Sequence, residues 1–288
     1  MISKLPHPET QNIKINVKTI FVEGLFDFKV LEILLSNIDK NIEIKHLGSV
    51  NFVITAAKAF KDVHPEYIYI IDRDYRDDKE VNQSWSDFKT GKSSYIIWRK
   101  RELENYFIDP KYLINCKYLK REYQNIDKLS KLILKKANEI IFHSAAEIML
   151  QRQYNLAKNV YSDKLKFKDF ETKESALKSL EKMQKIVLTL LKNKSDYLKK
   201  DFLINKYKST LNNFYGDKCE LDFGNGSWIE LIDGKKILSA FMENCMENYK
   251  RGKEPEFNII RSVIRKNEKN KPNDFTELKK LIRAKVSN

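Results

Sequence analysis

The segment YIYIIDRDYRDD, residues 67–78, decides how the chain reads. Five β-prone residues, Tyr67–Ile71, run straight into Asp72, Arg73 and Asp74, and then into Asp77 and Asp78. A short apolar run that stops at a charged cluster has the pattern of a buried strand. Residues i and i+2 of an extended chain point to the same side, so Asp72 and Asp74 are expected to face one point. Two carboxylates held close repel, and one pKa rises unless a cation lies between them. Hard oxygen ligands suit Mg²⁺ or Mn²⁺, which can orient a phosphate, polarise a P–O bond and activate water. An Asp-x-Asp that only ends a strand and caps a turn has the same sequence, so the pair needs company before it means more.

The company lies upstream. Thr19–Val22 (TIFV) is a short apolar run closed by Glu23 and Gly24, and Asp27 can cap the helix that follows. Phe28, Leu31, Leu34, Leu35 and Ile38 recur at helical spacing. Ile42–Leu47 alternates like a strand, Gly48-Ser49 turns, and Phe52, Val53, Ala56, Ala57 and Phe60 make a second helical face that Pro65 stops. Ser94–Trp98 (SYIIW) is a fourth strand. This order predicts an α/β fold, a mostly parallel sheet flanked by helices. Function in such sheets gathers at the carboxyl ends of strands, where Glu23, Asp72 and Asp74 fall.

Charge divides the 288-residue chain. Residues 1–110 hold 16 Lys and Arg against 17 Asp and Glu, whereas residues 111–288 hold 38 against 23. The whole excess of the +14 net charge is therefore in the second part, which suggests an acidic or neutral catalytic unit joined to a basic unit that holds a polyanion. Three cysteines without CxxC spacing argue against a zinc site or a disulfide framework and fit a reducing cytoplasm. The first residues lack the apolar stretch of a signal peptide, and no run approaches the length of a membrane span. A GxxxxGK[ST] phosphate loop and a nucleophile elbow are both missing, and of the four histidines none has a metal-ligand partner at useful spacing.

FVEGLFD (21–27) and YIIDRDY (69–75), in this order, resemble the TOPRIM domain of topoisomerases, bacterial primases and nucleases of the overcoming-lysogenization-defect group. The Glu-Gly-x-x-Asp form, with Asp27, is similar to the nuclease branch. WRKRELENYFIDP (98–110) resembles that branch's Arg-x-x-Glu-Asn-Tyr element, with Glu104 as the residue carried over and Glu102 close by. WIELIDGKKIL (228–238) resembles a late Gly-Lys element, with Lys235 a possible catalytic or phosphate-facing lysine. The resemblance covers roughly residues 18–112 closely. A stand-alone chain of this kind is most similar to the effector of the two-gene PARIS anti-phage system. That resemblance implies a cytoplasmic toxin released from a partner ABC-type ATPase, a nuclease on tRNA, and a homodimer when active. A topoisomerase is disfavoured because no companion domain with a strand-cleaving tyrosine is evident, and a primase by the missing zinc-binding cysteines.

The expected division is a catalytic domain over residues 1–118 and a helical, lysine-rich domain over 119–288. Leu129, Leu132, Leu134, Ala137, Ile140 and Ile141 mark one helix, and the stripe from Ala176 to Leu191 another. Lys117, Lys120, Arg121, Lys199, Lys200 and Lys206, with tyrosines among their neighbours, are the candidate nucleic-acid contacts. Residues 216–228 read as a turn-rich loop, Lys236–Met246 as a late helix, and the polar segment 265–274 as a mobile tail. Asp72 and Asp74 are expected to hold one metal ion, with Asp27 and Glu104 assisting, and Glu23 to ligate metal or move a proton. Three classes remain open: a metal-dependent ribonuclease, a DNA-nicking or repair nuclease on the same site, and a non-catalytic sensor module.

Overall fold

Four strands, β1 (Thr19–Val22), β2 (Glu43–His46), β3 (Tyr67–Ile71) and β4 (Tyr95–Ile97), pair in parallel in the order β2-β1-β3-β4. The computed structural model describes residues 19–38, 42–158, 199–247, 255–266 and 270–286, with the single residues 172, 178 and 192. Ile20 lies opposite Ile44 and Ile68, and Ile70 opposite Ile96. The inner strands are apolar nearly throughout because a sheet covered on both sides has no polar face. Edge strand β2 is mostly exposed, which accounts for its alternating EIKH.

Helices α1 (Leu25–Leu35), α2 (Val50–Phe60) and α3 (Asp78–Lys89) connect the strands. The sequence reading omits α3, yet its buried Val81, Trp85 and Phe88 follow helical spacing. Its side chains lock onto β4: Trp85 Nε1 donates to Ile97 O at 2.7 Å, and Ile97 N donates to Ser84 Oγ at 3.1 Å. Asp77 caps α3 by accepting from Glu80 N at 2.9 Å, and Asp78 pairs with Arg73 at 2.5 Å. Half of the acidic cluster that follows β3 is thereby structural. Asp27 caps α1 as expected, from the third position of its first turn, where it accepts from Gly24 N at 3.3 Å.

Beyond β4 the regular elements among the described residues are helices, with one isolated bridge between Leu119 and Met246. The helices are α4 (Pro110–Leu113), the long α5 (Ile126–Lys158), α6 (Lys200–Tyr215), α7 (Trp228–Leu231), α8 (Gly234–Cys245), α9 (Pro255–Lys266) and α10 (Asn273–Val286). The stripe at 176–191 lies outside the described residues. The expected mobile tail is corrected in part: α9 runs to Lys266, α10 starts at Asn273, and Asp274 is buried with its carboxylate on Tyr106 Oη and Arg99. Phe275 packs on Tyr106 and Trp98, with ring centroids 4.9 and 5.8 Å away. One hydrophobic cluster runs from Ile20 to Ile282, so the neutral and basic parts share a core. No helix among the described residues is long and apolar enough to cross a membrane.

Candidate active site

Glu23 leaves the end of β1, and its Oε1 accepts from the backbone N–H of Asp72 at 2.9 Å. That bond ties the carboxyl ends of two adjacent strands together. Asp27 arrives from the first turn of α1; a Cβ on Gly24 would stand 3.2 Å from its Oδ2, so the bare backbone suits the approach. Glu104 lies in the 3-10 turn Leu103–Tyr106 that follows β4. Lys235 sits in the first turn of α8, and its N–H donates to Glu102 Oε2 at 3.2 Å while Nζ stands 3.5 Å from Glu102 Oε1. Asp27, Asp72, Glu102 and Glu104 are all buried, whereas the Lys235 side chain is 56 % exposed.

Burial governs the electrostatics. It pushes Glu23 up to about 7, against the hydrogen bond from Asp72 N, with Asp74 and Asp27 adding repulsion. It pushes Asp27 up to about 6, opposed by backbone N–H groups and Lys235. Glu104 rises to about 8, again through burial, with Lys235 opposing and Glu102 and Asp27 reinforcing. Asp72 is held well above the carboxylate range by burial, then by Asp27, Glu104 and Glu23. Burial disfavours the Lys235 ammonium, but Glu104, Glu102, Asp72 and Asp27 outweigh it and push the group up. The carboxyl groups thus feel one another and share one cation.

Among the described residues no three His, Cys, Asp or Glu side chains already stand in a metal-holding arrangement. The groups interact without closing into a cage, and Lys235 partly neutralises them. Asp72 Oδ1, however, is buried without any hydrogen-bond partner. A buried carboxylate oxygen left bare is costly and calls for a cation or water. An all-oxygen set around it has the hardness that Mg²⁺ or Mn²⁺ requires, so the residues fit such an ion.

Asp74 is not placed beside Asp72 by extended geometry. β3 stops at Ile71, and Asp74 takes a left-handed φ of 51°, with its N–H on Arg101 O at 2.9 Å. The expectation from extended geometry is corrected: Asp72 points into the cluster of Asp27, Glu104 and Glu23, while Asp74 is half-exposed, 3.4 Å from Arg76. Arg76 also donates to Asp72 O at 3.0 Å, and so holds the turn from outside. Arg152 of α5 donates from Nε to Tyr75 O at 2.9 Å. Tyr75 Oη donates to Glu147 at 3.0 Å, and Arg101 donates to both that hydroxyl and Glu147.

The Arg-x-x-Glu-Asn-Tyr element acquires a physical account. Arg101 binds the 72–78 turn to α5, Glu104 joins the carboxyl cluster, and Tyr106 holds Asp274. Asn105 is fully buried and donates to Ile229 O at 3.0 Å and Ile232 O at 2.9 Å. Gly234 lies against it: a Cβ there would stand 2.2 Å from Asn105 Oδ1. Asn105 therefore sets where α8 begins, and with it where Lys235 lies. The sequence reading missed this role of Asn105, and those of Tyr75, Arg101, Glu147 and Arg152.

The basic candidates divide. Lys117 donates its N–H to Ser262 Oγ, and Lys120 Nζ donates to Asn244 O at 2.5 Å, so both stitch the helical part together. Arg121 is exposed in a short 3-10 turn beside them. Lys199 and Lys200 mark the start of α6, and Lys206, on the same helix, borders a cavity with Tyr75 and Arg76. Of the basic candidates, Lys206 is thus placed beside the turn that carries Asp72 and Asp74. No protein-family model matches the chain, and no curated protein matches it either.

Proposed function

We propose that the chain is a divalent-metal-dependent endonuclease with a TOPRIM-like site, acting on RNA. The observation that carries this reading is the convergence of Glu23, Asp27, Asp72, Glu104 and Lys235 at the carboxyl ends of parallel strands, with Asp72 Oδ1 bare inside it. Asp27, Asp72 and Glu104 would hold Mg²⁺ or Mn²⁺, with Asp74 at the rim. When bound, such an ion supplies charge neutralisation for a phosphodiester and a more acidic water. Glu23, fixed by Asp72 N, takes or returns the proton at the attacking water or leaving oxygen. Lys235, more than half exposed, would exchange its ion pair with Glu102 for a substrate phosphate. A tRNA substrate, a partner ABC-type ATPase, a homodimeric active form, a cytoplasmic setting and a role in anti-phage abortive infection rest on the sequence resemblance alone.

The test is cleavage of RNA and DNA by the purified chain with Mg²⁺, with Mn²⁺ and with EDTA, beside Glu23→Gln. Metal-dependent RNA cutting that disappears in Glu23→Gln, with circular dichroism unchanged, supports the proposal. Full activity in Glu23→Gln sinks it, and metal-dependent DNA nicking moves the reading to a DNA nuclease. In cells, discrete tRNA fragments that require Glu23 would narrow the substrate. A second reading has its own support: Lys235 already stands against the carboxyl groups, and no three acids are gathered as ligands among the described residues. In a non-catalytic module this network would be purely structural, and Mg²⁺ would leave the melting temperature unchanged.

A further inference from the structure

The 73–80 segment also forms a wall of two adjoining cavities, of about 600 and about 500 Å³, which share Arg152 and Asn213. Volumes of this size suit small-molecule or single-nucleotide ligands. Most acids around them are already matched: Asp78 by Arg73, Glu80 by Arg76 at 3.0 Å, and Asp77 by the start of α3. Asp217 remains, exposed on the far loop. Against it stand two cations, Arg152, whose guanidinium donates to the carbonyls of Tyr75 and Arg76, and Lys206.

The amides are the less expected feature. Asn212 and Asn213 lie in the last turn of α6, and their backbone carbonyls hold Gly216 N and Ser227 N. Both asparagines are exposed to solvent and line the first cavity. Gln153 lines the second, and its Oε1 is buried with no hydrogen-bond partner. A carboxamide presents a donor and an acceptor side by side, which matches the edge of a nucleobase. A guanidinium and an ammonium match a phosphate. Tyr75 adds an aromatic ring to the wall, with Arg101 over it at 4.8 Å.

We propose that this cleft binds one unstacked nucleotide of the substrate strand, its base read by Asn212, Asn213 and Gln153 and its phosphate held by Arg152 and Lys206. It would set base preference beside the scissile bond, because the same turn carries Asp72 and Asp74, and Arg76 both lines the cleft and contacts each of them. This inference rests on the nuclease reading for its role, but its binding test does not need cleavage.

The experiment titrates each of the four ribonucleoside 5′-monophosphates into the full chain in EDTA, followed by NMR or calorimetry. The expected result is saturable binding with a preference for one base. Asn213→Ala should weaken that nucleotide by about tenfold and flatten the preference; Asn212→Ala is the substitute should the first variant melt early. Arg152→Lys should weaken all four alike. Absence of saturable binding, or a wild-type preference retained in both asparagine variants, overturns the pocket. Cleavage that needs Glu23 without nucleotide binding would remove the pocket and leave the nuclease reading intact. Selective binding with cleavage indifferent to Glu23 would do the reverse.

Discussion

Glu104 offers a direct measure of how strained the carboxyl cluster is without metal. Its side chain is 7 % exposed, and burial lifts it from an ordinary 4.5 to about 8. Because the folded value lies above the unfolded one, the group's contribution is fully present below about pH 4.5 and is lost as pH rises through about 8. At 1.36 kcal/mol per pKa unit, ionising it fully in the fold costs on the order of 5 kcal/mol. Between about pH 5 and pH 8 the loss is roughly 3–4 kcal/mol. Glu104→Gln keeps the shape and removes the titration. Thermal melts in EDTA should therefore show the variant gaining on wild type between those two pH values, by on the order of 10 °C for a chain of this size. Groups that Glu104 does not touch titrate alike in both proteins and cancel in the difference, while Asp72 and Lys235, which feel its charge, contribute to it. Mg²⁺ added at the higher pH should then stabilise wild type more than the variant. A difference between the two proteins that is the same at both pH values would refute the reasoning, since it would mean that Glu104 is not held protonated by its surroundings.

Two further substitutions probe how the site is held. Gly234→Ala places a Cβ 2.2 Å from Asn105 Oδ1 and 2.9 Å from Asn105 N, so the start of α8 must shift. Overpacking of this kind costs about 1–3 kcal/mol, and Lys235 moves with the helix; a lower melting temperature together with slower cleavage is expected, read by calorimetry and a kcat measurement. Asp74→Gly suits the φ of 51° and gives up only a half-exposed ion pair, so stability should stay within about 1 kcal/mol of wild type while cleavage falls. Asp74→Val, a β-branched residue in the same conformation, should lower the melting temperature, and chemical denaturation of the two variants side by side checks both.

The sheet was legible because its strands are short apolar runs with charged or turn residues at each end, as at Val22-Glu23-Gly24 and Ile71-Asp72. Helix α3 was equally open to reading: Asp77 precedes it with Glu80 three residues on, and Val81, Trp85 and Phe88 lie on one face. Reading residues 72–78 as one acidic feature hid a cap and an ion pair. The placing of Glu23 and Asp72 followed from strand ends and chain order, which are local facts, whereas Asp27 and Glu104 were carried over from the sequence resemblance. The pairing of Asp72 with Asp74 did not follow, because a period of two holds only while the backbone stays extended, and it reverses at Asp74. Asn105 with Ile229, or Arg152 with Tyr75, are contacts between residues far apart in sequence, for which no local pattern exists.

The charge asymmetry takes on a different meaning once these contacts are considered. The near-neutral first part and the basic second part have no low-complexity linker between them in the sequence, and the turn after β4 is anchored through several side chains to the helical part. Arg99 and Tyr106 reach Asp274, Arg101 reaches Glu147 while its N–H donates to Glu230 O at 2.6 Å, and Asn105 grips the carbonyls before α8. The positive charge nearest the buried acids, Lys235, also comes from the second part. Part of the basic excess therefore serves the acids of the first part directly, and the carboxyl cluster receives the Lys235 cation only when both parts are folded on one core. A displacement of α5 or α8 would be transmitted to Asp72 and Glu104 through Tyr75, Arg101 and Asn105, because those three side chains fix the turns that carry the two acids.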